Sequence, residues 1–552
     1  MISINAAAGA PPRMRSKGDR CTDWKQPQFG CLIEGTLVAT YPMSPVDAAW
    51  YHMDGPVNLA IVTSIMFTKT PLDFPKVRKI YESRLLKFDR FHQRVVETGF
   101  PITTPQWEDM PNFDIDQHMH HVVLPAPQDE AALKTMITDI ASTPLDREQP
   151  LWQVHVIDGV GGGSALITRY HHCIADGTGM RAVIHKLFDE KPRSWGRQQA
   201  QVTQASPEQS RGGLLKPAFD AIERAARRAA ATANAAIAMV AHPQQVFDKA
   251  ALVLGGAGML VSELVKWPDP QSPLKGDFGI RKNVAWSKPV AIEDVKAIGA
   301  RSGAKVNDVL VAAMTGALRV YLKRRGVDVN HTTVRAMVPV DLRPPERYGE
   351  LGNEFGLVVL ELAVASSRAA QRLAVTKARM DALKRSPEPI AMRFLFEVFG
   401  RGPKALEDVA NYIFGSKTSV VMTNVAGPGQ MLYLAGVPID RMIFWVPHPG
   451  KQLGMGVSIL SYRGMASLAV IADAHLVPDP EAITNQFERE FEAMMRAMKS
   501  HGAKSSTKKP SLPKPGARKT RVAKSRTQGA SARAMAHKRA RSAPAASRKI
   551  SS

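Results

Sequence analysis

Residues 152–188 narrow the fold more than any other stretch of the chain. Two β-branched, alternating runs, WQVHVID (Trp152–Asp158) and SALITRY (Ser164–Tyr170), flank the glycine-rich GVGGG. This composition predicts a strand pair joined by a tight turn. The second run leads directly into HHCIADG, and GMRAVIHKLF (Gly179–Phe188) then carries apolar residues at helical spacing. Two adjacent histidines and an aspartate thus sit on a loop between a strand and a helix, where rigid elements commonly hold functional side chains.

The rest of the chain repeats this mixture. NLAIVTSIMF (Asn58–Phe67) reads as a strand, and 74–88 and 130–145 read as helices. Order resumes at FGIRKNVAWSKPV (Phe278–Val290), followed by the helix IEDVKAIGARSG. VNDVLVAAMTGALRVYLKRRG (Val306–Gly326) is punctuated as a helix. Asn307 lies in the N-cap region, Asp308 in the first turn, Lys323, Arg324 and Arg325 in the last, and Gly326 just beyond it. Strands are expected at 332–342, 355–364, 419–427 and 466–473, and a closing helix runs from Pro480 to about Met498. The expected architecture is α/β with mixed sheets: a lobe at 41–190 and a second at 278–499, joined by a linker and helical crossover at 191–277. Residues 1–40 and 500–552 are expected to be poorly ordered.

Within the crossover, Phe219, Ile222, Ala226, Ala229, Ala233, Ile237 and Val240 form one apolar stripe. Two readings stay open: a helix packed on the body, or one lying on a lipid surface. Charge matters mainly at the C-terminus. Residues 503–552 carry 15 Lys/Arg and no Asp or Glu, which leaves +8 on the remainder of a chain whose total is +23. Such a tail cannot bury enough apolar surface to fold alone, and it suits salt-sensitive contact with polyanions such as nucleic acid or anionic lipid headgroups. Three sparse cysteines, Cys21, Cys31 and Cys173, make no disulfide framework and no CxxC pair. With neither a secretory leader pattern nor an apolar run long enough to span a bilayer, a cytoplasmic setting is expected.

Several chemistries could use the histidine loop. A neutral imidazole can take a proton near pH 7, as general-base work requires, and Gly177 and Gly179 would permit a tight turn and close approach of a ligand. A metal reading would need a third ligand, for which HMHH (His118–His121) is the distant candidate; none is expected. Cys173 could be a nucleophile activated by His172, or a small packing residue. No GxSxG elbow or GxxxxGK[ST] loop is present.

HHCIADG matches the HHxxxDG motif of the coenzyme A-dependent acyltransferase superfamily. The flanking MSPVDAAWYHMD (Met43–Asp54), PLDREQPLWQVHVIDG (Pro144–Gly159), GIRKNVAWSKPV (Gly279–Val290), VNDVLVAAMTGALR (Val306–Arg319), VPVDLRP and GNEFG (within Val338–Gly356) resemble the bacterial wax ester synthase/diacylglycerol acyltransferase family over about residues 41–498. The resemblance implies two chloramphenicol-acetyltransferase-like lobes. It implies O-acyl transfer from a fatty acyl-CoA co-substrate, with no resident cofactor, to diacylglycerol or a long-chain fatty alcohol. It implies His172 as general base, His171 as a supporting group, Asp176 as a loop brace with Arg343 of DLRP as candidate partner, and Gly177 as the turn residue. Asn307 and Asp308 match the family's ND motif, as a helix start or as groups facing the site; Pro150, Leu151 and Trp152 match its PLW motif, with a structural role. Insoluble acceptors imply peripheral attachment to the inner membrane face or to lipid droplets. The rival readings are a carrier-dependent condensation-type enzyme and a non-catalytic lipid-body or polyanion-binding protein acting through the tail.

Overall fold

The alternating runs pair into three sheets. The computed structural model describes residues 29–33, 36–97, 104–192, 269–386, 415–448 and 453–505, together with Pro389, Met392, Arg393 and Glu397. In chain order the elements are β1 (Phe29–Ile33), β2 (Thr36–Pro42), α1 (Pro45–Met53), β3 (Ile61–Thr68), α2 (Phe74–Arg84), β4 (Gln93–Val96), β5 (Gln106–Asp109), β6 (Met119–Val123), α3 (Glu130–Ser142), β7 (Trp152–Val160), β8 (Gly163–His171) and α4 (Gly177–Leu187). There follow β9 (Lys282–Trp286), β10 (Val290–Ala291), α5 (Ile292–Ser302), α6 (Val306–Arg324), β11 (Arg335–Asp341), β12 (Phe355–Glu361), α7 (Ala369–Leu383), β13 (Val420–Ala426), β14 (Tyr433–Leu434), β15 (Val437–Trp445), β16 (Met455–Tyr462), β17 (Met465–Asp473) and α8 (Glu481–Ser505).

The sheet that carries the histidine loop has six strands in the order β14-β15-β3-β8-β7-β6. Its pairings are antiparallel except β6–β7. The turn between β7 and β8 needs its glycines: Gly159, Gly161 and Gly162 have φ of 83°, 57° and 81°, in the left-handed region. A Cβ on Gly163 would lie 2.0 Å from the Thr68 carbonyl oxygen of β3, so the hairpin can seat against its neighbour only without a side chain there. The second sheet runs β10-β17-β16-β13-β11-β12, with β9 also paired to β17. A smaller sheet has the order β1-β2-β5-β4.

These pairings correct three boundaries. The lobe expected at 278–499 does not keep all its strands: β14 and β15 lie on the six-stranded sheet, where Trp445 pairs Thr63 and Ile443 pairs Ile65. The N-terminal extension expected to be poorly ordered through residue 40 contains β1 and most of β2, because backbone pairing between them and with β5 satisfies a segment that its polar composition alone would not order. The closing helix passes the expected end at about Met498 and runs through Ser505. The linker and crossover stripe at 193–268, the first 28 residues and the tail from 506 lie outside the described residues.

Three apolar clusters hold the body together. One packs α1, α2 and α4 against one face of the six-stranded sheet, with Trp50, Trp107, Trp152 and Tyr170 among its members. The second surrounds α6, which is buried continuously from Asp308 to Leu318. A helix without a polar face is stable only when covered on all sides, and here the second sheet, α5, α7 and α8 contribute to the cluster around it. The third cluster joins the two large sheets: Leu133 and Ile137 of α3 meet Trp286 of β9, Trp445 of β15 and Ile471 of β17.

The start of α6 differs from the expected cap. The cap position is Lys305, so Asn307 is the second helical residue rather than the cap. Asp308, fully buried, accepts the Lys305 backbone N–H at 2.8 Å. That places the carboxylate where the unpaired first-turn donors need it.

Candidate functional site

The histidine loop is stitched to three other segments by backbone hydrogen bonds. His171 N–H donates to Leu151 O at 2.9 Å, and His172 N–H to Ala60 O at 2.8 Å. Gly352 N–H donates to Ile174 O at 3.0 Å, and Asp176 N–H to Gly352 O at 3.2 Å. The PLW segment therefore acts through its backbone and its core: Trp152 is 1% exposed, and its indole N–H donates to Phe91 O at 2.8 Å.

Asp176 is the N-cap of α4. One carboxylate oxygen accepts from Gly179 N–H at 2.8 Å; the other accepts from Glu354 N–H and Arg343 Nη2, both at 2.9 Å. The Arg343 side chain is fully buried and also donates to Gly352 O at 2.8 Å and Glu350 O at 2.7 Å. One arginine thus ties Asp176 to the 350–354 loop. The glycines divide differently from the sequence reading. Gly177 has no left-handed φ, and a Cβ there would meet only Val425 Cγ2 at 3.9 Å. It is the first residue of α4, not the residue that lets the chain turn. Gly179 is the crowded position, where a Cβ would lie 3.0 Å from Glu350 O and 3.2 Å from Ala175 Cβ.

The two histidines face different surroundings. His172 keeps 9% of its surface open, stacks on Trp50 with ring centroids 4.0 Å apart and an interplanar angle of 13°, and meets Phe355 at 5.8 Å. Its Nδ1 lies 3.0 Å from Asn353 Oδ1; its Nε2 has no hydrogen-bond partner among the described residues. His171 is 2% exposed, and its Nδ1 accepts the Cys173 N–H at 3.1 Å. Its Nε2 lies 3.9 Å from Asp54 Oδ1. Burial pushes both imidazoles down to about 4, so both are neutral at pH 7.

Asn353 is held in turn. Its Nδ2 donates to Asp47 Oδ1 at 2.7 Å and to His172 O at 2.8 Å, and its backbone N–H donates to the same Asp47 oxygen at 2.9 Å. Gly352, at φ 92°, shapes that approach. Asp47 sits in the first turn of α1, where its own N–H donates to the capping Ser44 hydroxyl at 3.1 Å. Burial raises its carboxyl to about 6, against the pull of hydrogen bonds from Ser44 and Asn353 and of the Arg90 charge.

Sequence reasoning placed Asp47, Trp50 and Asn353 only inside longer family-like stretches and assigned them no role. The serine and aspartate of SPVD at capping-box spacing were the available signal for Asp47. Asn353 had no local signal, because its partners lie 181 and 306 residues away. Asn307 Oδ1 accepts from Asn424 Nδ2 at 2.9 Å, and the next residue, Val425, has its Cγ2 3.9 Å from where a Cβ on Gly177 would lie. Asp308 faces the Lys305 backbone and is spent on the helix start.

The remaining candidates separate. His118 Nδ1 meets Trp152 O at 2.8 Å, His121 Nε2 meets Asp158 Oδ2 at 2.7 Å, and the His120 ring stands 4.7 Å from His155. Those histidines face three different partners, and no cluster of three ligating side chains suited to a metal occurs among the described residues. Cys173 is fully buried, and burial pushes its thiol well up, away from the thiolate a nucleophile needs.

A shielded, neutral imidazole on a braced loop, its ring held by a residue 181 positions away, is an arrangement that an acyltransferase can use as a base. The comparisons specify it further. The wax ester synthase/diacylglycerol acyltransferase catalytic domain matches residues 43–310, and the C-terminal domain of the same family matches 351–495. The chain belongs to that family. It is 26% identical over 443 residues to the probable diacylglycerol O-acyltransferase tgs1 of Mycobacterium tuberculosis strain H37Rv, covering 79% of this chain and 91% of the relative. The fold resembles the wax ester synthase/diacylglycerol acyltransferase from Marinobacter aquaeolei VT8, with a TM-score of 0.56 at 19% identity over 83% of this chain and 100% of that one. It also resembles the first condensation domain of the calcium-dependent antibiotic synthetase, with a TM-score of 0.51 at 15% identity over 83% and 95%.

Proposed function

We propose that His172 is the general base of an O-acyl transfer from a fatty acyl-CoA to diacylglycerol or a long-chain fatty alcohol. The observation that carries this reading is an Nε2 without a hydrogen-bond partner among the described residues, on a ring otherwise held by Asn353, Trp50 and Phe355. Nε2 takes the hydroxyl proton as the oxygen attacks the thioester carbonyl. The new C–O bond forms, the tetrahedral intermediate collapses with cleavage of the C–S bond, and the imidazolium returns its proton to the thiolate. The thioester is already activated, so no covalent enzyme intermediate and no resident cofactor enter this sequence. The transient imidazolium is favoured by the Asp176 charge and by the Trp50 face. Asp176 and Arg343 brace the loop; His171 supports it through the Cys173 N–H.

The acceptors are nearly insoluble, which favours work at a membrane inner face or lipid-droplet surface. No helix among the described residues is long and apolar enough to cross a membrane. The basic residues of 503–552 supply charge for contact with anionic headgroups or another polyanion.

The test is purified full-length chain with palmitoyl-CoA and either hexadecanol or diacylglycerol, with lipid products separated by thin-layer chromatography. Ester in at least one arm, matched by CoA release, is expected; acyl-CoA hydrolysis alone in both arms would overturn the reading.

The pH dependence follows from burial. An ordinary histidine is half protonated near 6.5, whereas His172 is held at about 4, so the base persists as pH falls. kcat/KM is expected to stay level from pH 8 to about 6.5 and to fall below that, first as the Asp47 carboxyl at about 6 takes a proton and then toward ~4 as His172 does. Stability follows the same sign. His171, His172 and His448 at about 4, and His155 at about 3, bind protons in the unfolded chain before they do so in the folded one. Stability is therefore full above the unfolded pKa of about 6.5 and is lost as pH falls toward 4, with a slope of ~1.4 kcal/mol per pH unit for each withheld proton. Initial rates and urea midpoints across this range measure both; a rate half lost at 6.5 with the fold intact contradicts the assignment.

A further inference from the structure

We infer that Asn353, clamped by Asp47, is a positioning residue that fixes the protonated nitrogen of His172 and so makes Nε2 the basic one. The inference rests on the reading of His172 as general base. A side-chain amide has one oxygen that only accepts and one NH2 that only donates. Asn353 Nδ2 lies 2.7 Å from Asp47 Oδ1 and 2.8 Å from His172 O, and a carboxylate and a carbonyl can only accept. Turning the amide over would set its oxygen against both acceptors, so the network permits one orientation. In that orientation Oδ1 faces His172 Nδ1 at 3.0 Å. An oxygen can only accept there, so Nδ1 carries the hydrogen. A neutral imidazole has a single N–H, and the lone pair is left on Nε2.

His171 holds the opposite tautomer one residue earlier. His171 Nδ1 receives the Cys173 N–H at 3.1 Å, so its hydrogen sits on Nε2, toward Asp54. The adjacent histidines therefore carry their protons on opposite nitrogens. One ring spends its lone pair on the loop backbone; the other keeps it for the acceptor hydroxyl. Asp47 supplies the polarity. It is fixed by the turn of α1 on one side and by two N–H groups of Asn353 on the other. Without Asn353, only the hydrogen bond to the His172 backbone carbonyl opposes the intrinsic preference of imidazole for the Nε2–H form, which has no lone pair where the hydroxyl arrives.

The test uses the full-length chain with 15N-labelled histidine. Long-range 15N–1H correlation spectra report the tautomer of each ring, with His172 assigned by its loss in His172→Asn. Wild type is expected to show Nδ1–H at His172 and Nε2–H at His171; Nε2–H at His172 overturns the inference without any substitution. Asn353→Ala is expected to shift His172 toward Nε2–H and lower kcat by ~10²-fold, the lower end of what a positioned base contributes. A purely structural role for Asn353 would leave the tautomer unmoved in Asn353→Ala, and that result overturns the inference. Full activity in His172→Asn would instead sink the general-base reading on which it rests.

Discussion

Replacing His172 with asparagine is expected to lower kcat by ~10²–10⁴-fold, the range that a positioned general base contributes. Asparagine is the informative substitute because its side-chain NH2 can still donate to Asn353 Oδ1, the contact His172 makes at 3.0 Å. The loop keeps that anchor and loses only the base. Alanine would also open a gap between Trp50 and Phe355, which flank the ring at 4.0 and 5.8 Å, and would mix a packing loss into the result. CoA release read with a thiol reagent gives the rate, and urea unfolding gives the control. A rate within a few-fold of wild type, with the urea midpoint unchanged, would remove His172 from the chemistry.

The largest expected loss of stability comes from Arg343→Met. The methionine fills much of the space but leaves the Asp176 carboxylate buried with two backbone donors and no counter-charge. It also strips donors from the carbonyls of Glu350 and Gly352. Breaking a buried pair from one side costs ~3–5 kcal/mol, because the surviving charge remains desolvated. Asp176→Asn in the same chain removes that charge while keeping an oxygen for the α4 cap, and it should recover part of the loss. Urea midpoints of the wild type, both single variants and the double variant give the coupling. Activity should fall along with stability in Arg343→Met, since the loop it releases carries Asn353. A single variant within ~0.5 kcal/mol of wild type would mean that the brace is unimportant.

The sequence made the strand–turn–strand–loop–helix unit at 152–188 legible because every signal in it is local: alternation, a glycine run, then helical spacing. Helix α6 was legible for the same reason, although its cap fell two residues earlier than Asn307 suggested. What escaped was long-range. Nothing in the run 433–445 says that it pairs with β3 rather than with a strand nearer in sequence. Nothing in GNEFG says that its asparagine reaches His172 and Asp47. The glycine roles were misassigned because crowding at Gly179 comes from Glu350 and Ala175, and of these only Ala175 is near in sequence. For Asp176 and Arg343 it was the family resemblance, not residue chemistry alone, that named the pair the structure brings to 2.9 Å.

The placement of β15 beside β3 has a consequence for how the molecule is made. β8, which ends in His171, pairs with one edge of β3, and residues 437–445 cover the other. During synthesis β3 and β8 leave the ribosome with that second edge bare, and it stays bare until residues 437–445 have emerged. An uncovered strand edge invites pairing with other chains, and contacts of such sequence separation form slowly. The histidine loop also needs residues 343–354 before it is braced. A nascent chain therefore acquires this site almost last, and its window of vulnerability to aggregation closes only when β15 arrives.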